Sequence, residues 1–246
     1  MNLQLSKSEA SQTLSRQLYE SEASVLRDIY YMKLMAVEAV TQLALDSFAV
    51  SADHAALPQR LIRQVQEEWE HLEECRSWLA LHDQFAQIPD YVGQFARIMR
   101  RCGGRRRRTL ALAAAVVLCT AVERSALQQL ANAHRANPQV QVIFEHMTCD
   151  EEEHYSLVSD ILAPLAAQRA SAFERTRAYW VMGQVSMVAV RQWWPKKVSV
   201  YRQLGLDINR FVREVLEYSS SAFSPLKIFF PKEVLFRLIK LSLHLD

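Results

Sequence analysis

An all-α fold is predicted, and three observations predict it. Glycine and proline are scarce, 5 and 7 in 246 residues, where average usage would give roughly 17 and 12, so few tight turns interrupt the chain. Apolar residues recur at helical spacing almost throughout, and the alternation expected of strands is nearly absent. Hydrophobic residues make up 50% and charged residues 23% of the chain, enough for one full core and too apolar for disorder. The expected architecture is a four-helix bundle over about 21–164 plus about three additional helices over 165–246, all within a single domain, 1–246.

The first long helix is expected from Ser21, read as an N-cap, to about Val50. Ser51 to His54 and Pro58 break the pattern, and a second helix runs from near Pro58 to about His82. A looser stretch from Asp83 to Gly104 follows, in which Pro89-Asp90 opens a short helix. The third long helix covers roughly Arg105 to Arg135. Asn137-Pro138 then stops it and starts the fourth, with proline at N1 and Pro164 just beyond its end at Leu162. Beyond that, Ala170–Trp194 is expected to end at Pro195, and shorter helices cover Leu206–Tyr218 and Pro231–His244.

Charge and cysteine usage exclude several classes. A net charge of +2 gives no global field for nucleic acid or anionic membrane. The four cysteines stand apart with no CxxC pair, against a zinc ribbon. Met1–Lys7 lacks the basic and apolar regions of a signal peptide, and the longest apolar run, Leu110–Val122, stops at Glu123, so a cytoplasmic protein is expected.

The chemistry is carried by carboxylates. Glu68-Trp69-Glu70-His71 and Glu151-Glu152-Glu153-His154 both read Glu-x-x-His, which puts a carboxylate and an imidazole on one helix face. Glu123 lies in the almost wholly apolar third helix. Glu38 is the lone acid between Asp28 and Asp46. A buried acid of this kind must be paired, protonated or bound to metal.

Glu38 lies about 12 residues before its helix end and Glu68 about 10 into the next, roughly 18 Å down and 15 Å back. Glu123 and Glu151 flank the Asn137 break at similar heights. The same plan occurs twice, with 30 and 28 residues between the lone Glu and its Glu-x-x-His. Two metal ions held by Glu38, Glu68, His71, Glu123, Glu151 and His154 are the expected centre, iron or manganese by donor type, with four carboxylates balancing two dications. Glu67 and Asp150 are placed to accept a histidine N–H from the facing helix.

With this motif set the chain resembles the ferritin-like di-iron carboxylate proteins over roughly Ser21–Leu162. Its spacing of 55 residues between Glu68 and Glu123 is similar to that of the aldehyde-deformylating oxygenases. The resemblance implies two iron ions (or manganese with iron), dioxygen as co-substrate and an external electron donor such as a ferredoxin. The implied function is a dioxygen-activating oxygenase or oxidase; the family's substrate is not carried over. A small, largely apolar substrate is expected because Leu34, Met35, Val37 and the Leu110–Val122 wall offer few polar groups, with hydroxylation, N-oxygenation, desaturation and C–C cleavage all open. Rubrerythrin-like peroxidases would add a CxxC module. A ribonucleotide reductase subunit would carry tyrosine where Cys75 stands, and ferritins end sooner after the fourth helix.

A ferroxidase and a metal-free helical binding protein remain as alternatives. Arg105–Arg108 is read as a solvated helix start, an RNA-modifying hydroxylase being its functional variant. Trp180, Trp193 and Trp194 are read as packing anchors. The apolar C-terminal segment from Phe223 to Leu241 is read as bundle or homodimer packing rather than a membrane-surface helix.

Overall fold

The computed structural model describes residues 7–48, 56–82, 90–102, 109–133, 137–168, 170–223 and 232–243. Among them no strand occurs, and the chain is all-α. The elements are α1 (Lys7–Phe48), α2 (Ala56–Leu81), α3 (Asp90–Cys102), α4 (Thr109–Ala133), α5 (Pro138–Ser156), α6 (Ala163–Gln168), α7 (Ala172–Val188), α8 (Trp194–Gln203), α9 (Ile208–Phe223) and α10 (Lys232–Leu243). The arginines Arg105–Arg108 and most of the stretch from Phe223 to Pro231 lie outside the described residues.

Two helical hairpins build the core, α1 with α2 and α4 with α5, and contacts of α1 with α4 and of α2 with α5 close the bundle. Three of the four helices, α1, α2 and α5, bury a seam spaced by three and four residues, while α4 is buried nearly all round. On α1 it includes Leu26, Ile29, Lys33, Val40, Leu43 and Ser47; on α2 it includes Leu61, Gln64, Glu68, His71, Cys75 and Trp78. On α5 the seam is Val140, Phe144, Met147, Glu151 and His154. The Glu-x-x-His pairs are therefore consecutive seam positions and face the bundle axis.

α4 lies at the centre, packed against α1, α3, α5, α6, α7 and α9. Its alanines, Ala111 and Ala113 to Ala115, are buried, and their small side chains allow that many neighbours to approach. It is long and apolar enough to cross a membrane, but 83% of its most apolar stretch is buried inside the fold.

The helix boundaries differ most from expectation in three places, and α9 runs on to Phe223 past the expected end at Tyr218. α1 begins at Lys7, so Ser21 is not a cap. Ser21 sits inside the helix because its hydroxyl donates back to the Gln17 carbonyl (3.0 Å), and it reaches Gln203 as well. The other two differences concern prolines. The fourth helix passes Pro164 to Gln168, and the helix from Ala172 passes Pro195 to Gln203, each through a π turn, Leu157–Leu162 and Ala189–Trp193. There the N–H groups of Ala163 and Trp194 bond the carbonyls five residues back, Val158 and Ala189. The widened turn gives the following proline ring room and absorbs its missing donor.

The Asn137 side chain caps α5 by accepting from Gln139 N (3.1 Å), with Pro138 in the first turn, as the sequence predicts. Trp193 and Trp194 are buried, Trp194 stacking on Phe211, and so fasten the C-terminal helices to the bundle. Trp180, expected as an anchor too, is 55% exposed.

Candidate metal centre

Five of the six residues singled out as ligands converge at mid-bundle. Glu68, His71, Glu123, Glu151 and His154 are each at most 5% exposed and come from α2, α4 and α5. His71 Nε2–H donates to Asp150 Oδ2 and His154 Nε2–H donates to Glu67 Oε2, both at 2.9 Å, each from one Glu-x-x-His helix to the other. These bonds fix both rings so that Nδ1 faces the cluster, 3.9 Å from Glu68 for His71 and 3.3 Å for His154. A carboxylate behind each ring fixes its tautomer and orientation. The Nδ1 atoms of both rings are buried without a hydrogen-bond partner, as are Glu123 Oε1 and Glu151 Oε2. Buried polar atoms left this way mark a place that suits a cation.

The sixth residue is elsewhere. Glu38 projects from α1 with its side chain 51% exposed and pairs with Arg100 of α3 at 3.0 Å. The α1 residue that reaches the cluster is Lys33, which the sequence reading missed. Its side chain is 0% exposed, and its Nζ lies 2.8 Å from Glu68 Oε2 and 3.5 Å from Glu123 Oε1 and donates to Glu151 Oε1. Replacing Glu38 with Gln is accordingly expected to leave metal loading unchanged and stability within about 0.5 kcal/mol, because an exposed ion pair contributes little. Metal content and thermal unfolding of the variant check this; a loss of loading would restore Glu38 as a ligand.

Lys33 sets the electrostatics. Burial opposes its charge, but attraction to Glu123, Glu151 and Glu68 outweighs burial and holds the ammonium well above its usual range. Burial would raise Glu68, yet Lys33 and the two histidines hold it well below the ordinary carboxylate range, and Glu151 is lowered too, against its own burial, by Lys33 and His154. For His154, burial is overcome by the Glu151 and Glu68 carboxylates on its Nδ1 side, at 3.8 and 3.3 Å, which push it up to about 11. Glu123 goes the other way: burial, with repulsion from Glu151 and Glu68, raises it to about 8 despite Lys33. Without metal, Lys33 and His154 thus offset the charge of Glu68 and Glu151, while Glu123 is held toward its neutral form.

Neighbouring groups are occupied elsewhere. Arg124, beside Glu123 in sequence, turns away to pair with Glu152 and lies over the Tyr218 ring at 4.2 Å. His146 pairs with Glu74, and His82 with the Trp78 carbonyl, both at 2.7 Å. Cys75 and Cys119 are thiols pushed up by burial, Cys119 to about 12, and so are unreactive.

The two-ion centre implied by the sequence does not fit this arrangement. One of its carboxylates is at the surface, and an ammonium stands among the other three. A single cation does fit. The ligand atoms of Glu68, Glu151 and His154, all buried, lie within 4.8 Å of one another.

A cavity of about 420 Å³ abuts the cluster, with Glu68 and Glu123 in its wall and Met32, Met35, Val40 and Phe95 among its apolar lining. Elsewhere in that wall Asp28 accepts from Tyr91 Oη and from Trp193 Nε1 (3.3 Å) and pairs with Lys197 at 2.9 Å.

No protein-family model and no curated protein sequence matches the chain. Among solved structures it is similar to a protein from Synechococcus described as having aldehyde deformylating oxidase activity. The TM-score is 0.71 at 14% sequence identity, over 92% of this chain and 98% of that one. That likeness shows the fold alone: the chain shares that protein's all-α helical-bundle fold, and its core contains a carboxylate–histidine group whose ligand atoms lie close enough together that they could hold a metal ion.

Proposed function

We propose that the protein is a metal-dependent oxidoreductase that uses dioxygen on a small, largely apolar organic molecule. The observation that carries this reading is the placement of the apolar cavity against Glu68 and Glu123 of the buried cluster. A redox-active divalent ion on Glu68, Glu151 and His154 would supply electrons and a position for dioxygen when bound.

The chain's own residues do the rest. Met32, Met35, Val40 and Phe95 bind an apolar chain and exclude water from the reacting end. Glu123, held above the ordinary carboxylate range by burial, brings its carboxyl group to the cavity wall. Hydroxylation, N-oxygenation, desaturation and C–C cleavage all suit such a cavity, and each draws electrons from an external donor. A ferrous ion arriving through the cavity would meet an apolar wall, which counts against the ferroxidase reading.

Lys33 favours a second reading, a metal-free protein that binds apolar ligands, because the ammonium neutralises part of the cluster without any ion. Metal content separates the two.

The test of the main reading starts with 1-aminoanthracene, an apolar fluorophore. The wild type is expected to bind it, and Ala36→Phe, which fills the cavity, to weaken binding about tenfold, equal to about 1.4 kcal/mol. The reduced, iron-loaded protein should also take up oxygen faster with an apolar substrate such as a medium-chain aldehyde than without one. Absence of binding by the wild type, or equal affinity in Ala36→Phe, would sink the cavity assignment. Binding without any metal uptake would move the protein to the second reading.

A further inference from the structure

We infer that Lys33 takes the place of one metal ion, so that the centre binds a single divalent cation, on Glu68, Glu151 and His154, rather than a pair. The inference rests on the metal-dependent reading above and specifies its site.

Three geometric facts carry it. The Lys33 side chain is wholly buried on the α1 seam, at the level where the bundle brings its carboxylates together. Its ammonium lies within ion-pair distance of Glu68, Glu123 and Glu151 at once, so it stands among the oxygens that a pair of ions would share. And the α1 carboxylate that would complete a two-ion set, Glu38, is at the surface on Arg100.

Charge points the same way as the geometry. With His154 neutral as a ligand, and even with Glu123 ionised, three carboxylates and one ammonium leave at most two negative charges in a site at most 5% exposed. One dication neutralises them. A second would leave two uncompensated positive charges in the apolar core, where an unpaired ion is penalised by several kcal/mol. The ammonium is also fixed by the chain and cannot leave, unlike a bound ion. Seen this way, Lys33 is a positioning residue: it spreads and orients the carboxylates, and the single ion is held on the side where His154 Nδ1 and Glu151 Oε2 have no hydrogen-bond partner.

The substitution that reverses the charge is Lys33→Glu, which restores four carboxylates to the cluster. Wild type and variant are equilibrated anaerobically with excess manganese(II), freed of unbound ion, and analysed for metal per chain and by electron paramagnetic resonance. The expected result is about one ion per wild-type chain with the spectrum of an isolated manganese, and about two per Lys33→Glu chain with the spectrum of a coupled pair, the stoichiometry of a four-carboxylate bundle site.

Two ions on the wild type, or a coupled-pair spectrum from it, would overturn the inference while leaving the metal-dependent reading in place. So would a folded Lys33→Glu chain that still takes one. No ion on either protein would instead overturn the metal-dependent reading itself. If Lys33→Glu does not fold, the wild-type spectrum alone decides between an isolated ion and a pair.

Discussion

Replacing Lys33 with methionine is expected to destabilise the metal-free protein by about 3–5 kcal/mol, the loss typical when one partner of a buried ion pair is removed. Methionine keeps the length and apolar stem of the side chain, so packing changes little and the effect reports the charge. Glu68, Glu123 and Glu151, all essentially buried, would face one another with only His154 to compensate. At roughly 2–4 °C per kcal/mol for a chain of this size, the melting temperature should fall by about 10 °C.

The loss should also depend on pH. Without the ammonium, burial and mutual repulsion raise the carboxylates above their unfolded values. For an acid with a raised folded pKa, stability is present below the unfolded pKa and is lost as pH rises through the folded one. The Lys33→Met protein should thus be closer to wild type at pH 5 than at pH 8. Added manganese(II) should recover part of the difference by binding the folded state. Melting curves at the two pH values, with and without the ion, test this; a variant as stable as wild type at pH 8 would refute the electrostatic account of the cluster.

The second large effect is expected at Asp28, on the same helix as Lys33. Burial pushes the Asp28 carboxyl up, against Lys197, Tyr91 and Trp193, which favour its charged form. Asp28→Ala removes the acceptor for Tyr91 Oη and Trp193 Nε1 and leaves Lys197, whose side chain is only 14% exposed, without its carboxylate. A loss of about 3–5 kcal/mol in unfolding free energy is expected. Asp28→Asn keeps an acceptor and should cost less. Combining it with Lys197→Met should recover part of that smaller loss, since a neutral pair avoids the stranded ammonium. Denaturant unfolding of the single and double variants measures the coupling. Purely additive effects would show that the two side chains act independently.

Most of the architecture was legible in the sequence because it follows from period and punctuation. Scarce glycine and proline, apolar residues at helical spacing and the Asn137-Pro138 cap gave the helices and the α4–α5 hairpin. Pro164 and Pro195 misled because proline is read as a stop. Whether a helix can pass one depends on a local shift of its hydrogen bonds, which leaves no mark in the apolar pattern.

The centre was legible on three of its four helices. Each Glu-x-x-His falls on two successive seam positions, and Glu67 and Asp150 reach the opposite histidine, as the spacing suggests. On α1 height along the bundle does not single out one residue. Measured from the helix ends at Phe48 and Ala56, Lys33 lies about 22 Å down, Glu38 about 15 Å down and Glu68 about 18 Å back, so both α1 residues are within a turn of Glu68.

What separates them is angle. Five residues correspond to about 140° around the helix once a full turn is removed. The seam through Leu26, Ile29, Val40 and Leu43 selects Lys33 and puts Glu38 outside. That signal was in the sequence. A lysine in an apolar stretch ordinarily reaches for water, whereas here three carboxylates meet it inside.

The account turns on the charge and confinement of the Lys33 ammonium, which nitrogen-15 spectroscopy of lysine side chains observes directly. A protonated amine sealed among carboxylates should give one Nζ–H signal that exchanges slowly with water, persists to high pH and disappears in Lys33→Met. If every lysine amine in the wild type exchanges freely and titrates in the ordinary range, Lys33 is not where this structure has it, and the cluster needs another cation.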